Sequence, residues 1–160
     1  MSMNHVIGDL LESDCDYICH QVNCQGKMNS GIAKSIKDKW PIVYQEYIMK
    51  YFNSLPELLL GDIQFININT PEADERAQFI INMFSQENYG YDGRRYTSYD
   101  AFWNCLHLIK EAVPKGSKIG FPGFIGCVRG GANWNIIYEM IKEVLSEDYE
   151  VYIYFLEATK

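Results

Sequence analysis

The sequence predicts an α/β fold: a three-layer α/β/α sandwich with helices on both faces of a mixed central sheet. Three observations carry that prediction. Segments with the alternation or continuous apolar character of strands exchange with segments of helical spacing. Long strand–helix–strand crossovers bring strands together in parallel, while one short connection permits an antiparallel pair. At 160 residues, 48% hydrophobic and 14% aromatic, the chain is sized for one domain with a full core.

The elements follow in order. Val6 to Leu10 reads as a short first strand and Tyr17 to Asn23 as a second. Ile32 to Phe52 has helical spacing, interrupted near Pro41, whose ring and missing N–H break a helix interior. Beyond the break Val43, Tyr44, Tyr47, Ile48 and Tyr51 keep one helical face. Ile63 to Ile68 alternates as a strand, Phe79 to Phe84 is apolar enough to be its buried neighbour, and Asn69 to Arg76 reads as the turn of a hairpin. Thr97 with Asp100 has capping-box spacing, and Phe102, Cys105, Leu106, Ile109 and Val113 line the following helix until Pro114 and Gly116 end it. Lys118 to Pro122 returns as a strand. Trp134, Ile137, Tyr138, Ile141 and Leu145 mark a further helix capped by Asn133, and Val151 to Leu156 is a last strand. The predicted order is ββαββαβαβ, in one domain spanning residues 1–160 with no internal repeat or linker. The least regular stretch, Gln86 to Tyr96, holds Gly90, Gly93, Arg94 and Arg95; it reads as a surface connector in preference to a flap over a ligand.

Composition excludes several function classes. No apolar run approaches the roughly 18 residues of a membrane span, and Met1-Ser2-Met3-Asn4-His5 lacks the regions of a secretory signal, so a cytoplasmic location is expected. Cys15, Cys19, Cys24, Cys105 and Cys127 make an odd count without CxxC spacing, which argues for reduced thiols over a disulfide framework or a zinc ribbon. A net charge of −7 without a basic stripe opposes nucleic-acid binding. Lys34, Lys37 and Lys39 interleave with Ile32, Ile36 and Trp40, as on a solvated helix face.

Two loops carry the candidate chemistry. After the second strand, His20-Gln21-Val22-Asn23-Cys24-Gln25-Gly26-Lys27-Met28-Asn29-Ser30-Gly31-Ile32-Ala33 breaks from apolar residues into glycines and polar groups, and a helix follows. Gly26 and Gly31 allow close backbone approach, Ser30 has the chemistry of a helix cap, and amides at a helix start favour anions. Glycine and serine also serve merely to turn a chain; Asn23 tilts the balance, because open α/β sheets bind ligands at the carboxyl ends of their strands. The second loop, Phe121-Pro122-Gly123-Phe124-Ile125-Gly126-Cys127-Val128-Arg129-Gly130-Gly131-Ala132-Asn133-Trp134, again joins strand to helix through glycines and would form the facing wall. Neither loop is a Walker phosphate loop or a Rossmann fingerprint.

These residues resemble the macrodomain family, which binds ADP-ribose and its derivatives. Val6-Ile7-Gly8-Asp9-Leu10 is similar to the family's opening strand with its Gly-Asp pair, His20-x-x-Asn23 with Gly26 and Ser30-Gly31-Ile32-Ala33 to its first ligand loop, and Pro122 with Ile125-Gly126-Cys127 to its second. The nearest flavour is the divergent branch of phage-type macrodomains, ADP-ribose 1″-phosphate phosphatases and hydrolases of ester-linked ADP-ribose. The resemblance implies that Asp9 accepts a hydrogen bond from the adenine amino group, with the Leu10 backbone against the same ring; a strand-end aspartate also caps turns. It places Asn23 at the distal ribose, with Ser30, Gly31, Ile32 and Ala33 around that ribose and the diphosphate. Ile125, Gly126, Cys127 and Val128 supply facing amides and an apolar wall, and Phe155 stands beside adenine or in the core. His20 is either a catalytic proton carrier, as in phosphatase-type members, or a histidine satisfied inside the sheet on the face opposite Asn23.

The departures matter as much. Ester-cleaving relatives use a lysine after the central strand and an aspartate in the second loop, where this chain has Met83-Phe84-Ser85-Gln86 and Cys127-Val128-Arg129-Gly130-Gly131. The lysine nucleophile for a covalent sugar adduct is therefore missing. The resemblance implies binding of ADP-ribose or a derivative, with phosphate removal from ADP-ribose 1″-phosphate as the leading chemistry, assisted by His20 and Asn23. The alternatives are a non-catalytic reader of free or protein-linked ADP-ribose, and a mono-ADP-ribosyl hydrolase working without the Lys/Asp pair. No cofactor, metal or membrane partner is required by the sequence.

Overall fold

Residues 2–69 and 77–157 are described by the computed structural model. Six strands, β1 (Ser2–Ile7), β2 (Tyr17–Asn23), β3 (Ile63–Asn67), β4 (Phe79–Gln86), β5 (Lys118–Pro122) and β6 (Glu150–Phe155), pair in the order β1-β6-β5-β2-β4-β3. All neighbours are parallel except β3, which runs antiparallel to β4. Parallel strands with covered faces are rich in consecutive apolar residues, and β2 and β4 show it. Ile18 and Val22 of β2, with Ile80 and Phe84 of β4, enter a core with Ile36, Val43, Tyr47 and Leu59. Cys19, Ile81 and Met83 enter the opposite core with Phe102, Leu106, Ile109, Ile137 and Ile141.

The first core is roofed by α1 (Gly31–Lys39), α2 (Pro41–Phe52) and the single turn α3 (Pro56–Leu59), the second by α4 (Tyr99–Ala112) and α5 (Trp134–Leu145). The mixed sheet and its three layers are as expected from the sequence. Each large side chain buried in these cores contributes about 1.5–3 kcal/mol. Pro41 divides the predicted helical region into two helices and starts the second, where its missing N–H costs nothing.

Four local expectations are corrected. The first strand begins at Ser2, because pairing to β6 at the sheet edge rests on backbone groups and on polar contacts such as Ser2 Oγ to Glu150 Oε2, 2.7 Å. Leu10 belongs instead to a 3-10 turn, Leu10–Glu12, capped by Asp9. The cap of α4 is Ser98, which accepts from Ala101 N at 3.1 Å, while the Thr97 hydroxyl is drawn away to Gly126 O at 2.8 Å. Ser30 stands at the start of α1 without a side-chain capping bond. The hairpin pairing of β3 and β4 is present; most of its predicted turn, 70–76, lies outside the described residues.

Candidate functional site

The carboxyl ends of the parallel strands open onto one cavity of about 1080 Å³. Strand order lays out its walls. Asp9 follows β1, Tyr154 to Glu157 end β6, the second glycine loop follows β5, the first follows β2, and Gln86 ends β4 with Tyr89, Gly90 and Tyr91 after it. Asp9 and Gln86 therefore mark opposite ends of a cleft long enough for an extended ligand.

Asn23 organises the first loop. A register shift between Val22 and Asn23 turns it out of regular alternation. Its Oδ1 accepts from Gln25 N at 3.0 Å and from the Tyr47 hydroxyl at 2.8 Å, and its Nδ2 donates to Lys27 O at 2.9 Å. Gly26 adopts φ +74°, with the Tyr51 ring 3.0 Å from where a Cβ would stand. Asn23 borders the cleft, yet these polar atoms hold the loop in shape.

The second loop folds on a polar network at the cleft floor. Gln21 Nε2 donates to Gln86 Oε1 at 2.6 Å and to Thr97 Oγ1 at 2.8 Å, and Ser85 Oγ donates to Gln21 Oε1 at 2.7 Å. Gly126, at φ +75°, leaves only 3.0 Å between an added Cβ and Gln21 Oε1. Phe124 holds φ +63°, a conformation rare for a bulky residue, with its ring edge-on to Phe155 at 5.4 Å between centroids. Both rings border the cleft on the side toward Asp9.

Of the residues proposed from sequence, Asp9, Leu10, Asn23, Ser30, Gly31, Ile32, Ala33, Pro122, Ile125, Gly126, Val128 and Phe155 line this cavity. Asp9 also acts as the turn cap considered above, Oδ1 accepting from Leu11 N at 2.9 Å. Two do not line it. Cys127 is half-buried with its thiol directed to Ile125 O at 3.4 Å, and burial pushes its pKa up to about 11, so the thiol stays protonated. His20 lies fully buried in the middle of β2 on the face covered by α1 and α2, with Nε2 2.5 Å from Asn82 Oδ1. Burial pushes its pKa down to about 4, partly opposed by the Asn82 bond, so it is neutral at physiological pH and stands off the cavity wall. Of the neighbours on β2, Gln21 lines the cavity and His20 does not; alternation counted from Asn23 does not predict this, because the register shift turns Asn23 toward Tyr47.

Sequence reasoning missed Gln21, Lys27, Tyr89, Tyr91 and Arg129 on the cavity wall. The segment Gln86 to Tyr96, read as a surface connector, supplies a third wall through Gln86, Tyr89, Gly90 and Tyr91. Cys24 N donates to Glu87 O at 3.0 Å, and Tyr96 N and Thr97 N donate to Gly130 O at 2.7 and 3.0 Å. Gly90 and Tyr91 were visible as turn and aromatic residues, but nothing local indicated that both glycine loops would tie this segment down. Arg94 and Arg95 stay outside the cavity: Arg94 bonds Asp92 and Tyr96, and Arg95 lies over the Tyr99 ring.

Comparison with solved structures places this architecture. The chain superposes on the macrodomain of Mycobacterium tuberculosis DarG with a TM-score of 0.74, at 21% identity over 95% of this chain and 96% of that one. The chain has the macrodomain fold. Thermosipho africanus DarTG, solved in complex with ADP-ribose, shares the macrodomain arrangement at a TM-score of 0.81 and 20% identity, over all of this chain and 43% of that one. Among curated proteins, a DNA ADP-ribosyl glycohydrolase of Thermus aquaticus is 26% identical over 154 residues; this macrodomain fold spans 41% of that relative's length. No family model matches the sequence.

Proposed function

We propose that the cleft binds ADP-ribose or a derivative of it and that recognition, more than chemistry, is what its residues are arranged for. The observation that carries this reading is the linear order of groups in one cavity: a carboxylate at Asp9, two glycine-bearing loops at the middle, and polar side chains at the β4 end. A carboxylate suits the exocyclic amine of adenine. Loop amides with close backbone approach suit a diphosphate. The likeness to a fold solved with ADP-ribose supports the same ligand.

The cavity walls offer little for bond cleavage. Its side chains include neither histidine nor cysteine among the described residues, and the position where ester-cleaving relatives resemble a lysine-bearing strand end holds Ser85 and Gln86. Phosphate removal from ADP-ribose 1″-phosphate would proceed without His20, through water positioned by loop amides. The relative named as a DNA ADP-ribosyl glycohydrolase favours a second reading, release of ADP-ribose from an attached group, for which Lys27 is the lysine on the cavity wall.

Calorimetric titration with ADP-ribose, AMP and ribose 5-phosphate tests the ligand. Micromolar binding that requires both halves of ADP-ribose is expected, and absence of heat with all three refutes the reading. Incubation with ADP-ribose 1″-phosphate and with an ADP-ribosylated oligonucleotide then separates reader from enzyme: turnover of either, lost in Lys27→Ala, would replace recognition by catalysis.

A further inference from the structure

The chain is acidic, with a net charge of −7, yet basic side chains line its cleft. Lys27 on the first loop and Arg129 on the second both line the cavity, and neither makes an ion pair among the described residues. Elsewhere basic side chains mostly face carboxylates, as in Lys34 with Asp38, Lys39 with Glu12 and Lys50 with Asp62. Arg129 instead lies over the ring of Tyr91, 4.3 Å from guanidinium carbon to centroid. A guanidinium held over a ring keeps N–H donors that can match a phosphate.

Tyr91 belongs to the segment after β4, and that segment is bonded at its two roots to both glycine loops. Gly130, next to Arg129, packs on Thr97 and Gln21, and Thr97 pairs with Gln86, so the Arg129–Tyr91 pair stands toward the Gln86 end of the cleft. A ligand laid with adenine at Asp9 and its diphosphate at the middle would bring its distal ribose here. The geometry points to Arg129, seated on Tyr91, as a subsite for a phosphate carried on the distal ribose. This assignment rests on the ADP-ribose reading and names what that site prefers at its far end. The phosphate is a monoester on the ribose or the phosphodiester of a nucleic-acid strand attached there.

The test is titration of wild type, R129A and R129K at low salt with ADP-ribose, with ADP-ribose 1″-phosphate, and with a short ADP-ribosylated single-stranded oligonucleotide. Wild type is expected to bind a phosphate-bearing ligand about tenfold more tightly than ADP-ribose, the scale of one charge-assisted contact. In R129A the ratio falls to about one, and R129K retains part of it. The ligand with the larger Arg129-dependent gain identifies the source of the phosphate. Equal affinities in wild type, or a preference that survives in R129A, overturn the subsite while leaving the ADP-ribose reading intact. Binding of none of the three by wild type overturns both. Arg129 is exposed, so unchanged thermal midpoints in both variants show that the ratio reports recognition and not folding.

Discussion

The Tyr47 hydroxyl lies 2.8 Å from both the backbone carbonyl and Oδ1 of Asn23, and Lys27 N donates back to it at 3.2 Å. One buried tyrosine of α2 thus fixes the residue that opens the first loop and the residue four positions on. Its ring stacks on Phe84 of β4, 5.8 Å between centroids, which ties the loop to the sheet. Tyr47→Phe keeps the ring and removes the hydroxyl. The Asn23 acceptors and Lys27 N then lose a partner where water has little access, so a loss of about 1–2 kcal/mol in stability is expected. Urea denaturation measures it, and a variant as stable as wild type would show that the loop re-forms without this bond. On the ADP-ribose reading, affinity for that ligand should fall with the loop's order, severalfold on titration.

His20 imposes a pH dependence on folding. Its Nε2–H donates to Asn82 Oδ1, Asn82 Nδ2 donates to Gln64 Oε1 at 3.0 Å, and Nδ1 has no hydrogen-bond partner among the described residues. Burial lowers the folded pKa from 6.5 to about 4. Above 6.5 both states are neutral and the group contributes nothing. Between 6.5 and 4 the unfolded chain takes up a proton that the folded chain refuses, so stability falls on acidification through that window, by about 3 kcal/mol when it is fully crossed. Denaturation midpoints of wild type and His20→Gln between pH 7 and pH 4 should converge as the pH drops. Parallel curves would mean that another group controls the acid limb.

Much of this was legible because it rests on local rules. The spacing of Trp134, Ile137, Ile141 and Leu145 marked α5, and Asn133 capped it as its chemistry suggested, accepting from Asn135 N at 2.9 Å. The two glycine loops were visible as breaks after apolar strands. What escaped was set by tertiary partners. Thr97 has the composition of a cap, but Gly126 O claims its hydroxyl. The catalytic expectation for His20 came from resemblance, while the fold buries its side chain on the covered face of β2, off the cavity wall. Arg129 and Tyr91 lie 38 positions apart in sequence, and only the fold brings them to one wall.

Gly126 is predicted to be intolerant of a side chain for two independent reasons. Its φ of +75° strains any L-residue, and a Cβ would stand 3.0 Å from Gln21 Oε1 and 3.1 Å from Thr97 Oγ1, both held by the network at the cleft floor. Gly126→Ala should cost about 1–2 kcal/mol and displace the second loop. Thermal unfolding reads the first effect and ADP-ribose titration the second. A neutral substitution would show that the loop has slack.

Asp9 offers a test of ligand orientation. Its Oδ1 is occupied by the turn amide of Leu11, and the residue borders the cleft, so the carboxylate serves two masters: the 3-10 turn and, on the ADP-ribose reading, the adenine amino group. Asp9→Asn retains a capping oxygen and so preserves the turn, but it exchanges one acceptor for a donor that faces another donor. ADP-ribose should weaken about tenfold in this variant, with a thermal midpoint near that of wild type. The hypoxanthine analogue, which carries an oxygen in place of the amino group, inverts the pairing. Wild type should bind it about tenfold more weakly than ADP-ribose, and Asp9→Asn should reverse the preference, since its amide can donate to the exocyclic oxygen. If wild type does not distinguish the two ligands, adenine does not lie at Asp9, and the direction in which the ligand runs along the cleft, from β1 toward β4, is reversed or wrong.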